Sequence, residues 1–447
     1  MHRYIPALAE RSAPRYTSYP TAAEFTPAIG ARDHGEALHR ATDSGPASLY
    51  IHIPYCQAIC WYCGCNTGAL NRADRLDAYL DALGMEIAGT AAVFGGTIGR
   101  VHFGGGTPNI LSPDQFSRLA DLLRRNFAIA SSAEWAVEVD PRSFHRDHAS
   151  AFAAAGVDRI SVGAQTFSPR IQAAIGRIQP LAEVSRVIAQ ARDAGIERIN
   201  LDLMYGLPGQ TLDDIASTLA AAQTLAPDRV AMFGYAHMPR LLPRQRLIDE
   251  AALPDAEARF WQRTLAHDLL VEQGLGAIGF DHFARPWDSL SVAAREGRLH
   301  RNFQGFTEDA ATTLIGLGAS AISQFPGLIA QNEKHVGRYR MLAGNGQGCT
   351  VRGVTRGRED RLRGQVIERL LCDNRVDAAA LARSHGLPES AAAPDEALLR
   401  ELEDHGVIRR EAGQVIVRRE GLPYARLAAA AFDSYRNPGA RRFSKAV

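Results

Sequence analysis

Six short runs of β type, at residues 48–52, 100–103, 136–139, 159–164, 199–205 and 229–235, recur with helical patterns between them. No other feature of the sequence restricts its fold so strongly. Strands separated by a helix pair in parallel, because the chain must cross back over a face of the sheet before the next strand begins. Leu76, Leu80, Leu83 and Ile87 share one helical face, as do Val184, Val187, Ile188 and Ala191. Over 113–127, Ser112 stands at the N-cap, Pro113 at the first helical position and Gln115 as the reciprocal capping partner, with Leu119, Leu122 and Leu123 as the buried stripe. Uniform βα repeats can curl into a barrel or lie flat as a doubly wound sheet. Periodicity leaves both open, and barrel-like curvature is the expectation.

Near residue 356 the pattern changes. Helical segments at 360–371, 377–385 and 395–405 lead into 407–410, a turn around Gly413, and 415–418, which predicts a mainly helical, winged-helix-like tail. Arg409, Arg410, Arg418 and Arg419 are interleaved there with Glu411 and Glu420, so the tail is expected to pack or act as a lid, with no nucleic acid as partner. The whole chain balances 50 Lys and Arg against 49 Asp and Glu, so no global field draws it to nucleic acid or an anionic membrane. No apolar stretch reaches the ~18 residues of a membrane span, and residues 1–20 lack a signal peptide's apolar core. A cytoplasmic protein without membrane contact is expected. The expected division is an N-terminal arm over 1–44, a βα core over 45–285, a connecting and substrate-contacting segment over 286–355 and a helical domain over 356–447.

Four of the six cysteines, Cys56, Cys60, Cys63 and Cys65, fall within ten residues, while Cys349 and Cys372 stand alone and read as inert. In a reducing compartment such a cluster holds metal or does redox chemistry. Cys56, Cys60 and Cys63 form a C-x3-C-x2-C triad directly after the first predicted strand. Three thiolates on one loop can each take one iron of a 4Fe-4S cube and leave the fourth iron open to a small molecule, as an open position distinguishes catalytic metal sites from structural ones. The competing reading is structural zinc, for which Cys63-x-Cys65 is too tight to complete a tetrahedron comfortably. Gly-Gly-Gly-Thr-Pro at 104–108 ends the second predicted strand, where missing side chains let backbone amides and the Thr107 hydroxyl approach a charged ligand head. As a bare turn it is a weak signal.

The triad with its flanking Tyr62 resembles the cluster loop of the radical S-adenosyl-methionine (SAM) enzymes. Further matches are Arg-Tyr-Thr-Ser-Tyr-Pro-Thr at 15–21, Tyr50-x-His52, Cys63-Gly-Cys65-Asn66, Asp-Leu-Met-Tyr-Gly-Leu-Pro at 202–208, Asp-His-Phe-Ala-Arg-Pro at 281–286 and His-Arg-Asn-Phe-Gln-Gly at 300–305. Together they are similar to the oxygen-independent coproporphyrinogen III oxidase family, and the similarity runs to Phe443-Ser444. The resemblance implies an α/β fold, a partial (β/α)6 TIM-like barrel of the radical SAM type. It implies oxidative decarboxylation of two propionates of coproporphyrinogen III to vinyl groups, giving protoporphyrinogen IX. It also implies a 4Fe-4S cluster on Cys56, Cys60 and Cys63, one SAM on the unique iron and a second SAM beside it. The electron donor would be a flavodoxin or ferredoxin, and the enzyme a monomer.

By residue match, Tyr50, Tyr62, Gly105, Glu138 and Ile322 would face the first SAM, and Gly106, Thr107, Gln165, Arg177, Asp202 and Ala236 the second. Tyr50, His52, Cys65 and Gln304 match positions implicated in catalysis, Cys65 as a required thiol that is not assigned to iron. The family's Phe at position 62 is Tyr here, which keeps the ring and adds a hydroxyl. Glu138, Gln165, Asp202 and Ala236 also make sense without the resemblance, because they lie at or just past predicted strand ends, where barrel enzymes keep their chemistry. Plainer readings stand beside these: Glu138 and Asp202 as acids satisfied by neighbours, His52 between Ile51 and Ile53 as a hydrogen-bonded core residue. Arg15, Arg285 and Arg301 are candidates to meet substrate carboxylates, since each lies in a matched motif.

Three other functions stay open. A haem-trafficking relative typically lacks the arm motif and the Cys-Gly-Cys extension, both present here. A related enzyme could open or methylate a tetrapyrrole. A winged-helix regulator could use the cluster as a sensor, although six βα units would be surplus to it.

Overall fold

The computed structural model describes residues 2–436; Phe443-Ser444, where the family similarity ends, lie outside the described residues. Six strands form where the β-type runs predict them: β1 (Ala47–Ile53), β2 (Thr97–Gly105), β3 (Ala128–Val139), β4 (Arg159–Gln165), β5 (Arg198–Tyr205) and β6 (Arg229–Gly234). Each is followed by a principal helix: α1 (Ala73–Val93), α2 (Pro113–Asn126), α3 (Arg146–Ala154), α4 (Leu181–Asp193), α5 (Leu212–Thr224) and α6 (Ala256–Glu272). At the start of α2, Ser112 Oγ accepts from the Gln115 amide at 3.1 Å while Gln115 Oε1 accepts from the Ser112 amide at 2.9 Å, the reciprocal cap expected of this spacing.

All neighbours among β1–β6 pair in parallel, and their order in the sheet follows chain order. A doubly wound sheet reverses its order at a switch point; this one does not. With crossovers of one hand, all six helices fall on one face and the strands curl as part of a barrel.

Residues 276–355 add six further strands to this sheet, four of them in the stretch 286–355 expected to be a connection. β7 (Gly276–Ile278) and β8 (His282–Ala284) extend the sheet beyond β6, and β9 (Leu314–Leu317) joins the other edge in parallel with β1. β10 (Ile322–Phe325), β11 (Leu328–Asn332) and β12 (Thr350–Thr355) then continue antiparallel, giving the order β12-β11-β10-β9-β1-β2-β3-β4-β5-β6-β8-β7. These added strands run only three to six residues, too short for a legible alternation.

Alternation along the six long strands sorts side chains between two interiors. Leu49, Ile51, Val101, Phe103, Ile160 and Leu201 enter the core under the helices. The intervening Ser48, Arg100, Glu134, Ser161, Asn200 and Arg229 line the space inside the barrel. At the N-terminal ends of the strands these become a floor of ion pairs, with Arg229 2.8 Å from Asp288 and 3.2 Å from Glu308, and Arg100 and Arg159 each 3.5 Å from Glu134.

A second core joins the chain's two ends. Ile5, Leu8, Tyr16 and Tyr19 of the arm pack with Leu362, Val366, Leu370, Tyr424 and Phe432. The C-terminal helices Arg358–Asp373, Ala378–Ser384 and Glu396–Asp404 are followed by the hairpin Ile408–Glu411 and Gln414–Val417, beside which Arg375–Val376 adds a short third strand. Among the described residues no helix is long and apolar enough to cross a membrane.

Candidate active site

A cavity of about 470 Å³ opens at the C-terminal ends of the barrel strands, within the size range of small-molecule sites. Its wall brings together Cys56, Cys60, Cys63 and Cys65 with Tyr62, Gly105, Gly106, Thr107, Glu138, Gln165, Arg177, Asp202 and Ala236. Gln304 lines an inner cavity of about 220 Å³, which shares Glu138, Ser161, Asp202 and Phe233 with the first. Tyr50 and His52 are buried on β1 beside these spaces, and Ile322 lies half-buried on β10, lining neither.

The cysteine loop is closed at its base by Tyr55–Cys56 pairing with Gly68–Ala69. Trp61 donates from its amide to Ile175 O at 3.1 Å, Gln245 Nε2 to Tyr62 O at 2.8 Å and Arg244 Nη2 to Thr67 O at 2.9 Å. Trp61 and Tyr62 pack on Ile171, Met204, Leu207 and Ile248. Each thiol has polar neighbours of its own. Cys56 Sγ accepts from Thr107 Oγ1 at 3.3 Å, Cys60 Sγ from Arg177 Nη1 at 3.2 Å and Arg142 Nη2 at 3.3 Å, and Cys63 Sγ from the Cys65 amide at 3.4 Å. A hydrogen bond from the Cys65 side chain brings the Cys63 thiol down to about 6.

Opposite the thiols, the glycine turn passes too close for side chains. Gly105 has φ +108°, and a Cβ on it would fall 2.5 Å from His52 Cε1; one on Gly106 would fall 2.6 Å from Tyr55 O. The amides of Gly106 and Thr107 donate to Ile53 O and Tyr55 O, both at 2.8 Å, and the Thr107 hydroxyl to Cys56, so contrary to the sequence expectation these donors bind the turn to the chain entering the cysteine loop and are not turned to a ligand.

Two acids on this wall are shifted in opposite directions. Glu138 accepts from the Gly105 amide at 3.1 Å and from His102 Nε2 at 3.2 Å. Burial opposes its charge, yet these contacts hold its carboxyl below the usual range. Asp202 accepts from Ser161 Oγ and Asn200 Nδ2, both at 2.9 Å, but burial and the Glu138 charge push it up to about 6. His52 is fixed by its partners: Asn66 O can only accept, so Nε2–H donates to it at 3.0 Å and Nδ1 accepts from Tyr50 Oη at 3.1 Å. Burial lowers the His52 pKa and keeps this ring neutral.

Sequence reasoning missed several wall residues. Asp140 and Arg142 sit beside Cys60, and Arg142 Nη2 lies 2.6 Å from Asp140 Oδ2. The Asp281–His282 pair, 2.6 Å apart, brings His282 to the inner cavity. Burial opposes the Asp281 charge, but His282, Arg301 and Arg15 hold its carboxyl at about 2. The polar members of Asn200-Leu-Asp202, two apart on a buried strand, were a signal that Asn200 shares the face of Asp202. Of the three candidate arginines, Arg15 lines the main cavity and donates to Gly234 O at 2.6 Å. Arg285 lies instead at the N-terminal end of β6, donating to Gln273 O at 2.9 Å.

Three thiols on one loop, a glycine turn packed against the chain that enters that loop, and acceptors on the adjoining strand ends fit an iron–sulfur cluster with a charged nucleoside-sized ligand. The sequence profile of the radical SAM superfamily matches residues 50–222. The chain is 42% identical over 440 residues to the oxygen-independent coproporphyrinogen III oxidase of Bradyrhizobium diazoefficiens, covering 98% of each chain. It is 39% identical to that of Escherichia coli K12, covering 98% of this chain and 96% of the relative. The solved coproporphyrinogen III oxidase of Escherichia coli, described as a radical SAM enzyme, superposes with TM-score 0.89 at 38% identity, over 94% of this chain and 98% of its own. The chain belongs to the oxygen-independent coproporphyrinogen III oxidase family of radical SAM enzymes, a membership that implies a 4Fe-4S cluster and SAM.

Proposed function

We propose that this protein converts coproporphyrinogen III to protoporphyrinogen IX without oxygen, turning two propionates into vinyl groups. The reading is carried by the gathering of the three thiols, the glycine turn, Glu138 and Asp202 around one cavity. When bound, the cluster and SAM supply a 5'-deoxyadenosyl radical able to take a hydrogen atom from the unactivated β-carbon of a propionate. Cys56, Cys60 and Cys63 hold the cluster. Gly105 and Glu138, with Tyr62 and the flanking Tyr50 and Ile322, orient one SAM. Gly106, Thr107, Gln165, Arg177, Asp202 and Ala236 hold a second.

The ionised Glu138 suits an ammonium or a ribose hydroxyl, and the neutral His52 keeps Tyr50 oriented while adding no charge to the wall. Cys65, exposed at the cavity mouth, and Gln304, on the inner cavity, are placed toward substrate. A substrate radical that loses carbon dioxide and one electron becomes the vinyl group. The protein's part is to hold the reacting carbon close and exclude water and oxygen. That electron leaves to an external acceptor, and a flavodoxin or ferredoxin supplies the incoming ones.

The deciding experiment is anaerobic. Iron and sulfide are reconstituted, then reductant, SAM and coproporphyrinogen III are added, and protoporphyrin after oxidation is quantified beside 5'-deoxyadenosine. About two 5'-deoxyadenosines per protoporphyrin are expected, one per propionate. 5'-Deoxyadenosine without vinyl product would mean a different substrate. Tight haem binding with neither product would favour a trafficking protein.

A further inference from the structure

A cleft of about 130 Å³ lies between the N-terminal arm, the hairpin of His300–Asn302 and Gly305–Thr307, and the helix Arg358–Asp373. Tyr16 and Tyr19 line it with Arg301, Arg356 and Arg361. Arg301 lies against both Phe280 and Phe306, 4.6 and 4.4 Å from the ring centroids, the two rings meeting edge to face at 5.4 Å. Its Nη1 is buried without a hydrogen-bond partner, as is the Nε of Arg356. The other contacts of these guanidinium groups go to carbonyls: Arg301 Nε to Arg15 O at 3.1 Å, Arg356 Nη1 to Phe325 O at 3.4 Å and Arg361 Nη1 to Arg356 O at 3.3 Å.

Among the described residues none of the three has a carboxylate within 4 Å; Asp281 faces Arg301, and Asp360 and Glu368 face Arg356, only at longer range. Glu368, which also lines the cleft, is already engaged: it accepts from the Arg301 amide at 3.0 Å and lies 3.4 Å from His300 Nδ1 and 3.7 Å from Arg369. Burial lowers the pKa of both Arg301 and Arg356. Three partly buried guanidinium groups with no close ion pair, two of them with a buried nitrogen left unpaired, point to a carboxylate that arrives from outside. Arg15 lines the catalytic cavity and its carbonyl holds Arg301, so the cleft and the cavity lie on either side of one contact.

We propose that this cleft seats the propionate carboxylates of coproporphyrinogen III that are not reacting, with Arg301, Arg356 and Arg361 as their anchors. The inference rests on the substrate reading above. A carboxylate about to leave as carbon dioxide gains nothing from a guanidinium, because pairing stabilises the ionised ground state more than the decarboxylating transition state. Carboxylates unchanged through the reaction can be gripped without that penalty, and their binding energy positions the reacting arm. The cleft has the volume of roughly four waters, enough for one or two acid groups and too small for the macrocycle. Gly364 keeps it open: a Cβ there would fall 3.3 Å from Arg356 Nη2 and 3.6 Å from Tyr19 Cβ.

The test measures binding by fluorescence, with coproporphyrin III and its tetraamide as probes, on reconstituted wild type and on Arg356→Gln, Arg361→Gln and Gly364→Leu. Wild type should prefer the tetra-acid by about tenfold or more, and the variants should lose that preference. With dithionite as reductant, their kcat/KM for coproporphyrinogen III should fall by about tenfold or more while cluster absorbance and melting temperature hold. Preference and kcat/KM unchanged in all three variants, or a wild type that binds acid and amide alike, would overturn the proposal. A wild type that prefers the acid yet forms no protoporphyrin would leave the carboxylate site standing and remove the substrate reading.

Discussion

Arg177 donates from Nη1 to the Sγ of Cys60 at 3.2 Å. The same nitrogen lies 3.2 Å from Asp140 Oδ2, while Nε reaches Gln179 Oε1 at 2.9 Å and Nη2 reaches Gly163 O at 2.7 Å. The guanidinium is thus held against a thiol by Asp140 and Gly163 from two other segments and by Gln179 of its own loop.

A cation donating to a cluster thiolate favours the reduced, more negative cluster. Arg177→Gln should therefore reconstitute with a more negative reduction potential, by about 60 mV for each 1.4 kcal/mol of lost interaction. Potentiometry followed by electron paramagnetic resonance checks this, with iron content as control. An unchanged potential would show that the contact carries no electrostatic weight.

Gly106 has no room for a side chain, since a Cβ would lie 2.4 Å from Thr67 Oγ1 as well as against the Tyr55 carbonyl. Gly106→Ala should cost about 1–3 kcal/mol in stability through displaced backbone and should weaken SAM binding more than cluster assembly. Urea unfolding and equilibrium dialysis with SAM read the two effects separately.

The pKa of Asp202, raised by burial from 3.8 to about 6, predicts a pH dependence of stability. Between these values the unfolded chain has lost its proton while the folded protein retains it. Stability from this group therefore falls as pH rises through about 4–6 and stays lower above. Asp202→Asn should make the apoprotein more stable at pH 7.5, by up to about 3 kcal/mol, with the difference fading near pH 4. Turnover should be lost in the same variant. Melting curves across that range decide it; a destabilised variant at pH 7.5 would contradict the assignment.

The barrel floor predicts an opposite response to substitution. Arg229 lies 2.8 Å from Asp288 and 3.2 Å from Glu308, with little solvent access for any of the three. Arg229→Met should cost up to about 3–5 kcal/mol, because Asp288 and Glu308 keep only longer contacts to Arg159 at 3.7 Å and Arg100 at 3.5 Å, and adding Asp288→Asn, which removes the charge and keeps an acceptor for the Leu290 amide, should recover part of it. Denaturant titration of both variants gives the coupling.

Local spacing alone made much of this protein legible. The six long strands, the Ser112–Gln115 cap and the C-terminal helices with their hairpin depend on periods of two and 3.6 and on capping groups within a few residues. The three candidate cluster thiols were readable because their chemistry lies in one short loop.

What spacing could not reach depended on residues distant in the chain. The choice of barrel over doubly wound sheet lies in strand order, and β9–β12 became visible only through pairing with strands already in place. Arg285 and Arg301 looked alike in sequence, each an arginine in a matched motif. The antiparallel register of β8 on β6, with Ala284 opposite Arg229, turns Arg285 to the end of the barrel away from the thiols, while the Phe280 and Phe306 rings hold Arg301 in the cleft. Glu138 and Asp202 likewise carry the same chemical group, yet one is held below its usual pKa and the other above it. The sequence by itself determined which groups were available at the strand ends. Only the tertiary structure decided their proton affinity and direction, because burial and partners are set by segments tens to hundreds of residues apart.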